Sequence, residues 1–362
     1  MPTRPVTQRQ LTVSLLDRQL LLSRAELPVS AAVRRLAALQ AQYPPSPYFA
    51  LFSRLAGFEV DHLERALRRG TVVKATLMRA TLHLVAGTDF PSFAVAWRQQ
   101  HLTDVRGRHR DVEVDEAAVA AGVRELLAQP RTAAEIKDRV AELSGGTVAP
   151  ADRLHYARAL VPMRHVFPSG GWRHHRAFTV VADPADLAPV EPAATALLLR
   201  RYLAAFGPAS REDMAHFTYL RYRQLDPALA ELGAVARYTD DSGRELFDLP
   251  RASLPAEDVP TPVRFLPNWD AALLSHRDRT RILPARWHDE VVKSANGGLL
   301  ASYLVDGQVA GLWTVERTGR TAILRLSPFV PIPASATADV EREALRTLRF
   351  AEPDATDLSV TT

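Results

Sequence analysis

The order in which caps and breaks recur limits the fold of this chain more than any single residue. Between residues 115 and 185 it reads helix, helix, helix, hairpin. Asp115 to Ala128 carries apolar residues at helical spacing, and Pro130 breaks the run. Thr132 with Glu135 has capping-box spacing, so a second helix starts there and runs to about Leu143, where Ser144-Gly145-Gly146 ends it. A third helix fits Pro150 to Met163. Arg164 to Phe167 and Trp172 to Val181 then read as strands around Ser169-Gly170-Gly171.

The same order returns over residues 193–248. Ala193 to Phe206 is an apolar-periodic helix stopped by Gly207-Pro208, and Ser210 with Asp213 caps a short one. Tyr222 to Leu232 makes a third, ended by Gly233. Ala234 to Thr239 and Arg244 to Leu249 flank the turn Asp240-Asp241-Ser242-Gly243. In the N-terminal third, helices fit Val6 to Leu22, Ser30 to Gln42 and Tyr48 to Leu55. Asp61, Glu64 and Gly70 have the spacing of cap, capping box and stop for another. Val72 to Met78 and Leu82 to Val85 read as strands, and a helix follows from Asp89 to Leu102.

Three such units predict tandem winged helix-turn-helix modules. Residues 261–330 differ: Leu299 to Val305, Gln308 to Glu316 and Arg320 to Leu326 are β-rich, with hairpin signals at Asp306-Gly307 and Thr318-Gly319. A small antiparallel meander or barrel is expected there, closed by a helix over residues 337–350. The expected fold class is α+β, mainly α. Its modules span 1–108, 109–188 and 189–255, followed by a β-rich domain over 256–362. The hydrophobic fraction of 47% with 24% charged residues is that of a folded chain.

Charge is unevenly placed. Residues 1–100 carry 13 basic against 6 acidic side chains, an excess of +7, whereas the other 262 residues carry 32 against 35, or −3. Such a basic third points to an anionic partner. Only Lys74, Lys137 and Lys293 are lysines; a GC-rich genome accounts for the arginine bias but not for the asymmetry. Cysteine is absent, which removes disulfides, thiol nucleophiles, cysteine zinc sites and iron–sulfur clusters. The start does not read as a targeting signal, because Asp17 and Arg18 break its apolar stretch, and no run approaches the ~20 residues that span a membrane. The expected location is cytoplasmic.

There is no G-x-G-x-x-G, no Walker loop and no H-E-x-x-H. His174-His175 are adjacent and would face opposite ways on a hairpin, which suits a solvated wing better than a ligand pair. Three segments could carry chemistry. Gln40 and Gln42 flank Ala41 at an expected helix end before Pro44-Pro45. On a regular helix i and i+2 diverge, but at a broken end two amides can converge to hold a water or read a base edge; ordinary exposed glutamines are the competing reading. Lys74, Arg79 and His83 lie on the first expected hairpin, as phosphate or groove contacts or as a solvated strand face. The third segment is Phe265 to Asp270 with His276, Arg277, Arg279 and Arg281. It suits a phosphate-binding loop, or a structural loop in which Asp278 pairs internally.

Taken in order, several motifs resemble the bacterial winged-helix DNA glycosylases of the AlkZ/YcaQ type. They are Leu39-Gln40-Ala41-Gln42, Met78 to Val85, Tyr202 to Ala209, Phe265 to Asp270 and Val305 to Trp313. The resemblance runs from about Leu11 to beyond Trp313. It implies a C-shaped set of tandem winged helices with a small β-domain. It also implies hydrolytic, monofunctional excision of bulky N7- or N3-alkylated purines, interstrand crosslinks among them. Gln40 and Gln42 match the family's catalytic pair, and the Gln-x-Gln form is similar to self-resistance enzymes of antibiotic-producing actinobacteria. Ala80 stands where a glycine is expected, and Trp269 departs from the usual aromatic pattern. DNA contacts are expected at Lys74, Arg79, His83, Trp269, Asp270, His276, Arg277, Arg279, Arg281, Gly307 and Gln308, with Lys74, Arg79 and the Arg277 to Arg281 loop on phosphates and the Asp306-Gly307-Gln308 hairpin probing a groove. No metal and no cofactor are expected, and the expected partner is double-stranded DNA that contains alkylated purines, met by a monomer. The alternative is a non-enzymatic winged-helix regulator or a drug-binding resistance protein.

Overall fold

The structure, a computed structural model, describes residues 3–110, 113–172, 174, 178–183, 192–293 and 298–362, with Gln99 as backbone only. Its second unit is built as the caps require. The Asp115 carboxylate accepts the Ala118 amide at 2.9 Å and starts the helix Glu116–Leu126. Thr132 and Glu135 form the capping box of Ala133–Leu143. Arg153–Leu160 follows, then the strand Met163–His165 paired antiparallel with Val180–Ala182. Residues 173 and 175–177 of the expected strand Trp172 to Val181, His175 among them, lie outside the described residues.

In the third unit, Ser210 and Asp213 cap Arg211–Thr218 between the helices Pro192–Phe206 and Tyr222–Glu231. The hairpin is Ala236–Thr239 with Glu245–Asp248. Both units contain a feature with no signal in the sequence. One residue ahead of the second helix bridges antiparallel to the last hairpin strand, Arg131 to Val180 and Ala209 to Phe247. In each case the bridging residue directly precedes the helix N-cap, Thr132 or Ser210.

The first unit has the same order with that bridge enlarged. Val29–Arg35 is followed by the strand Leu39–Gln40, the helices Ser46–Arg54 and Val60–Arg68, and the hairpin Val72–Thr76 with Leu82–Ala86. Leu39 pairs with Leu84 and Gln40 with His83. Four residues, Ala41 to Pro44, separate this strand from the N-cap Pro45. The helix expected from Ser30 to Gln42 therefore stops at Arg35, and Ala37 turns the chain at φ +63°. The expected cap Asp61 is also displaced: Glu59 caps Val60–Arg68, with His62 completing the box.

The remaining elements tie these units together. Helix Gln8–Arg18 packs on the third unit, and strand Arg4–Pro5 joins that unit's sheet parallel to Ala236–Thr239. A five-stranded sheet orders Asp357–Thr361, Thr321–Pro328, Gln308–Thr318, Ser302–Val305 and Arg264–Leu266. Helix Ala334–Ala351 buries Val340, Ala344 and Leu348 against it. The second unit keeps its own core around Val123, Ile136, Val140 and Leu160. The first hairpin instead shares a core with the third unit, through Val73, Ala75, Met78 and Val85 on one side and Leu199, Phe206, Met214 and Phe217 on the other. That shared core brings the glutamine segment to the helix Arg211–Thr218. No described helix is long and apolar enough to cross a membrane.

Candidate active site

Gln40 closes the strand Leu39–Gln40, and Gln42 lies two residues beyond it, ahead of Pro44-Pro45. Ala41 is 2% exposed and packs in the first unit's core. Its amide donates to Leu82 O at 2.7 Å. Gln40 is buried and Gln42 exposed. The Gln42 amide oxygen accepts the Leu82 N–H at 3.3 Å.

Arg79 fixes Gln40. Its Nη2 donates to Gln40 Oε1 at 2.9 Å and its Nη1 to the Phe217 carbonyl at 2.8 Å, and its guanidinium lies 5.4 Å from the Phe217 ring centre. A guanidinium can only donate, so Gln40 must turn its oxygen toward Arg79. Its NH₂ and the second lone pair of its carbonyl remain for a water or substrate. Arg79 reaches this position because it and Ala80 are both left-handed, each at φ +56°. Burial and the nearby Arg279 bring its pKa down to about 10, so it stays charged at neutral pH.

His83 completes the network. Its Nδ1 lies 3.0 Å from the Thr81 carbonyl, which requires the proton on Nδ1, and its Nε2 lone pair faces Arg79 Nη2 at 3.4 Å. Burial, and then the Arg79 charge, push its pKa down to about 3. His83 is therefore a neutral acceptor holding Arg79, and a phosphate contact by it is not compatible with its 1% exposure. His216, on the facing helix, is lowered to about 4 by burial and then by Arg79 and Arg279. Arg79, Arg277 and Arg279 thus give the site a positive field. Its neutral polar groups are the amides of Gln40 and Gln42 and the imidazoles of His83 and His216.

Other expected contacts fall elsewhere. Lys74 pairs with Leu84 across the hairpin, on the face opposite to Gln40 and His83. It is 5% exposed, lies against the loop at Gly170, and burial lowers its pKa to about 8. Asp270 is fully buried in a two-point bond to Arg54, at 2.7 and 2.9 Å, and caps Ala271–Leu274. His276 is buried between Phe206 O at 3.0 Å and Ser275 Oγ at 2.9 Å, and Arg281 donates to Phe206 O at 3.4 Å. These four side chains are structural, because a phosphate cannot reach them.

The hairpin turn expected to probe a groove is docked instead. Arg9 binds the Asp306 carbonyl and carboxylate, both at 2.9 Å, and Gln308 Nε2 donates to Arg281 O at 2.8 Å. A Cβ on Gly307 would meet Thr12 Cγ2 at 3.1 Å and Leu16 Cδ1 at 3.2 Å. Trp269, at φ +54°, donates its amide to Leu299 O at 3.1 Å and packs half-buried on the shared core. Of the arginine-rich loop, Arg277 is exposed and pairs with Glu212 at 3.0 Å. Arg279 is half-buried, bonded to Leu273 O at 2.9 Å. Among the described residues no group of His, Asp and Glu has metal-binding geometry. Sequence reasoning missed the parts played by Phe217, His83 and Arg79 in holding Gln40; Arg79 and Phe217 are 138 positions apart.

This arrangement can be set beside known proteins. The family model of the AlkZ-like DNA glycosylases matches residues 33–350, which include Gln40, Arg79 and Phe217. No curated protein sequence matches the chain. The solved structure of the Streptomyces sahachiroi DNA glycosylase AlkZ has the same fold, with a TM-score of 0.80 at 19% identity over 99% of this chain and 100% of that one. The chain belongs to the AlkZ-like DNA glycosylase family.

Proposed function

We propose that the site built on Gln40 and Gln42 hydrolyses the N-glycosidic bond of bulky N7- or N3-alkylated purines in duplex DNA. The observation that carries this reading is the Arg79–Gln40 bond, which orients one amide of the pair and leaves its other hydrogen-bonding positions to a water. Alkylation makes the purine cationic, so its C1′–N9 bond is already weak. The water oxygen adds at C1′, the C1′–N9 electron pair returns to the purine, and the water's proton passes to solvent. The departing base is then neutral. Two amides can place that water but cannot act as a strong base, which restricts the enzyme to labile, cationic lesions.

The reaction is monofunctional in this reading. Lys74 supports it, because strand alternation turns that amine to the far side of the sheet from Gln40. The enzyme acts as a monomer and unhooks interstrand crosslinks, whose tethered base cannot enter a snug pocket. It protects its host against a genotoxic natural product, as the Gln-x-Gln form suggests. The test is single-turnover excision from an oligonucleotide carrying 7-methylguanine or a bulky N7 adduct. Gln40→Ala with Gln42→Ala should lose excision while keeping DNA affinity, and borohydride should trap no covalent adduct. Undiminished excision by the double variant would refute the assignment. Preference for one undamaged operator sequence would mark a regulator instead.

A further inference from the structure

Tyr219 stands where the fold calls for glycine. It ends the helix Arg211–Thr218 with φ +65° and ψ +17°, and its amide donates to Ala215 O at 2.8 Å. Glycine takes this left-handed position without a Cβ clash, whereas a tyrosine there costs on the order of 1 kcal/mol or more. The ring gives little of that back to the fold. It is 54% exposed and makes no hydrogen bond or ring contact with any described residue.

Its place in the chain connects it to the reaction site. Tyr219 lies two residues beyond Phe217, whose carbonyl holds the guanidinium that holds Gln40. It begins the turn into Tyr222–Glu231, the second helix of the helix-turn-helix pair. Arg221, Tyr222 and Arg223 are exposed there, and Arg221 and Arg223 make no ion pair among the described residues. Tyr222 is already engaged by Arg211, whose guanidinium lies 4.2 Å from its ring centre. Tyr219 is thus an uncommitted aromatic face next to Arg221 and Arg223, two residues from the carbonyl that holds Arg79. Aromatic rings interleaved with cations suit an unstacked nucleobase and its flanking phosphates.

We propose that Tyr219 stacks on a nucleobase displaced from the duplex beside the lesion, with Arg221 and Arg223 taking the flanking phosphates. The proposal rests on the Gln40 network being the reaction site. A lesion too bulky for a closed pocket leaves its neighbours unsupported when the helix opens, and an external ring can take up the lost stacking. The ring is kept at a strained position because the substrate, not the fold, needs it.

Binding decides the matter without catalysis. Dissociation constants are measured for a duplex with a tetrahydrofuran abasic site and for the same undamaged duplex, together with melting temperatures. Tyr219→Gly should bind the abasic duplex about tenfold more weakly, the size of one base–aromatic stack. It should bind undamaged duplex within twofold of wild type and melt no lower. Tyr219→Trp and Tyr219→Phe should keep abasic-site affinity within about threefold. Equal loss on both duplexes, no loss on either, or loss in the tryptophan and phenylalanine variants equal to that in the glycine variant would each overturn the proposal. Gln40→Ala should retain these affinities while losing excision. If it still excises, the reaction-site reading fails separately from the Tyr219 reading.

Discussion

At the scale of single residues, Arg79 matters most. Read along the chain it is one more cation in a basic stretch, suited to a phosphate. In the folded molecule its guanidinium is shared among Gln40, His83 and Phe217 O. Two successive left-handed residues, Arg79 and Ala80, are each unfavourable by about 1 kcal/mol or more, and the loop holds them so that this fork meets its partners. Lysine keeps the charge but loses the fork. Arg79→Lys should therefore lower the single-turnover excision rate roughly a hundredfold, the scale of a misplaced reacting group, while DNA affinity stays within about threefold. A matched loss of affinity and rate would return Arg79 to phosphate binding. The glutamine pair itself was legible in the sequence. What holds it was not, because spacing carries no information about a contact 138 residues away.

At the scale of elements, local signals read well and pairing signals poorly. The capping boxes at Thr132 and Ser210 stand where the sequence places them, since a cap is closed within three or four residues. The Ala-rich run from Ser30 to Gln42 reads as helix by propensity, yet its end pairs as a strand with Leu82–Ala86. Ladder bonds to a distant hairpin override a propensity worth a few tenths of a kcal/mol per residue. The Asp306-Gly307 turn was legible as a hairpin, but its role was not. With φ +73° at Gly307 and the first helix against it, Gly307→Ala should cost about 1–2 kcal/mol in urea unfolding. Excision should be kept under conditions where the variant is folded. Loss of excision at full stability would restore a groove-probing hairpin.

At the scale of the whole molecule, the basic N-terminal third changes meaning. Several of its arginines are neutralised by carboxylates from the far end of the chain. Arg9 pairs with Asp306, Arg18 with Asp248, Arg24 with Glu343 and Arg54 with Asp270. Part of the excess thus joins the N-terminal segment to the rest of the fold, and Arg79 serves the site. The interior also holds neutral histidines from separate regions. His83 is lowered to about 3 and His101 to about 4, both chiefly by burial, and His276 is lowered in the same direction. Unfolded histidines take up protons below about pH 6.5 while these do not, so stability is complete above that pH and falls as acid is added. At pH 5 His83 and His101 should each contribute a loss of roughly 2 kcal/mol, read as the difference in urea unfolding free energy between pH 7.5 and pH 5. A flat profile would mean that these rings are protonated or hydrated in the native state.

By itself the sequence determined the repeated unit, most helix starts, the hairpin turns and the Gln40/Gln42 pair. Each is set by interactions within a few residues or by the alternation of a single strand. Only the tertiary structure decided that Gln40 ends a strand with Gln42 just past it, that Arg79 turns inward, that Lys74 faces away and that Tyr219 is left exposed. Those outcomes depend on which surfaces meet after the first hairpin packs on the third unit. That packing is fixed by apolar burial shared between segments more than a hundred residues apart, and such burial leaves no local mark in the order of residues.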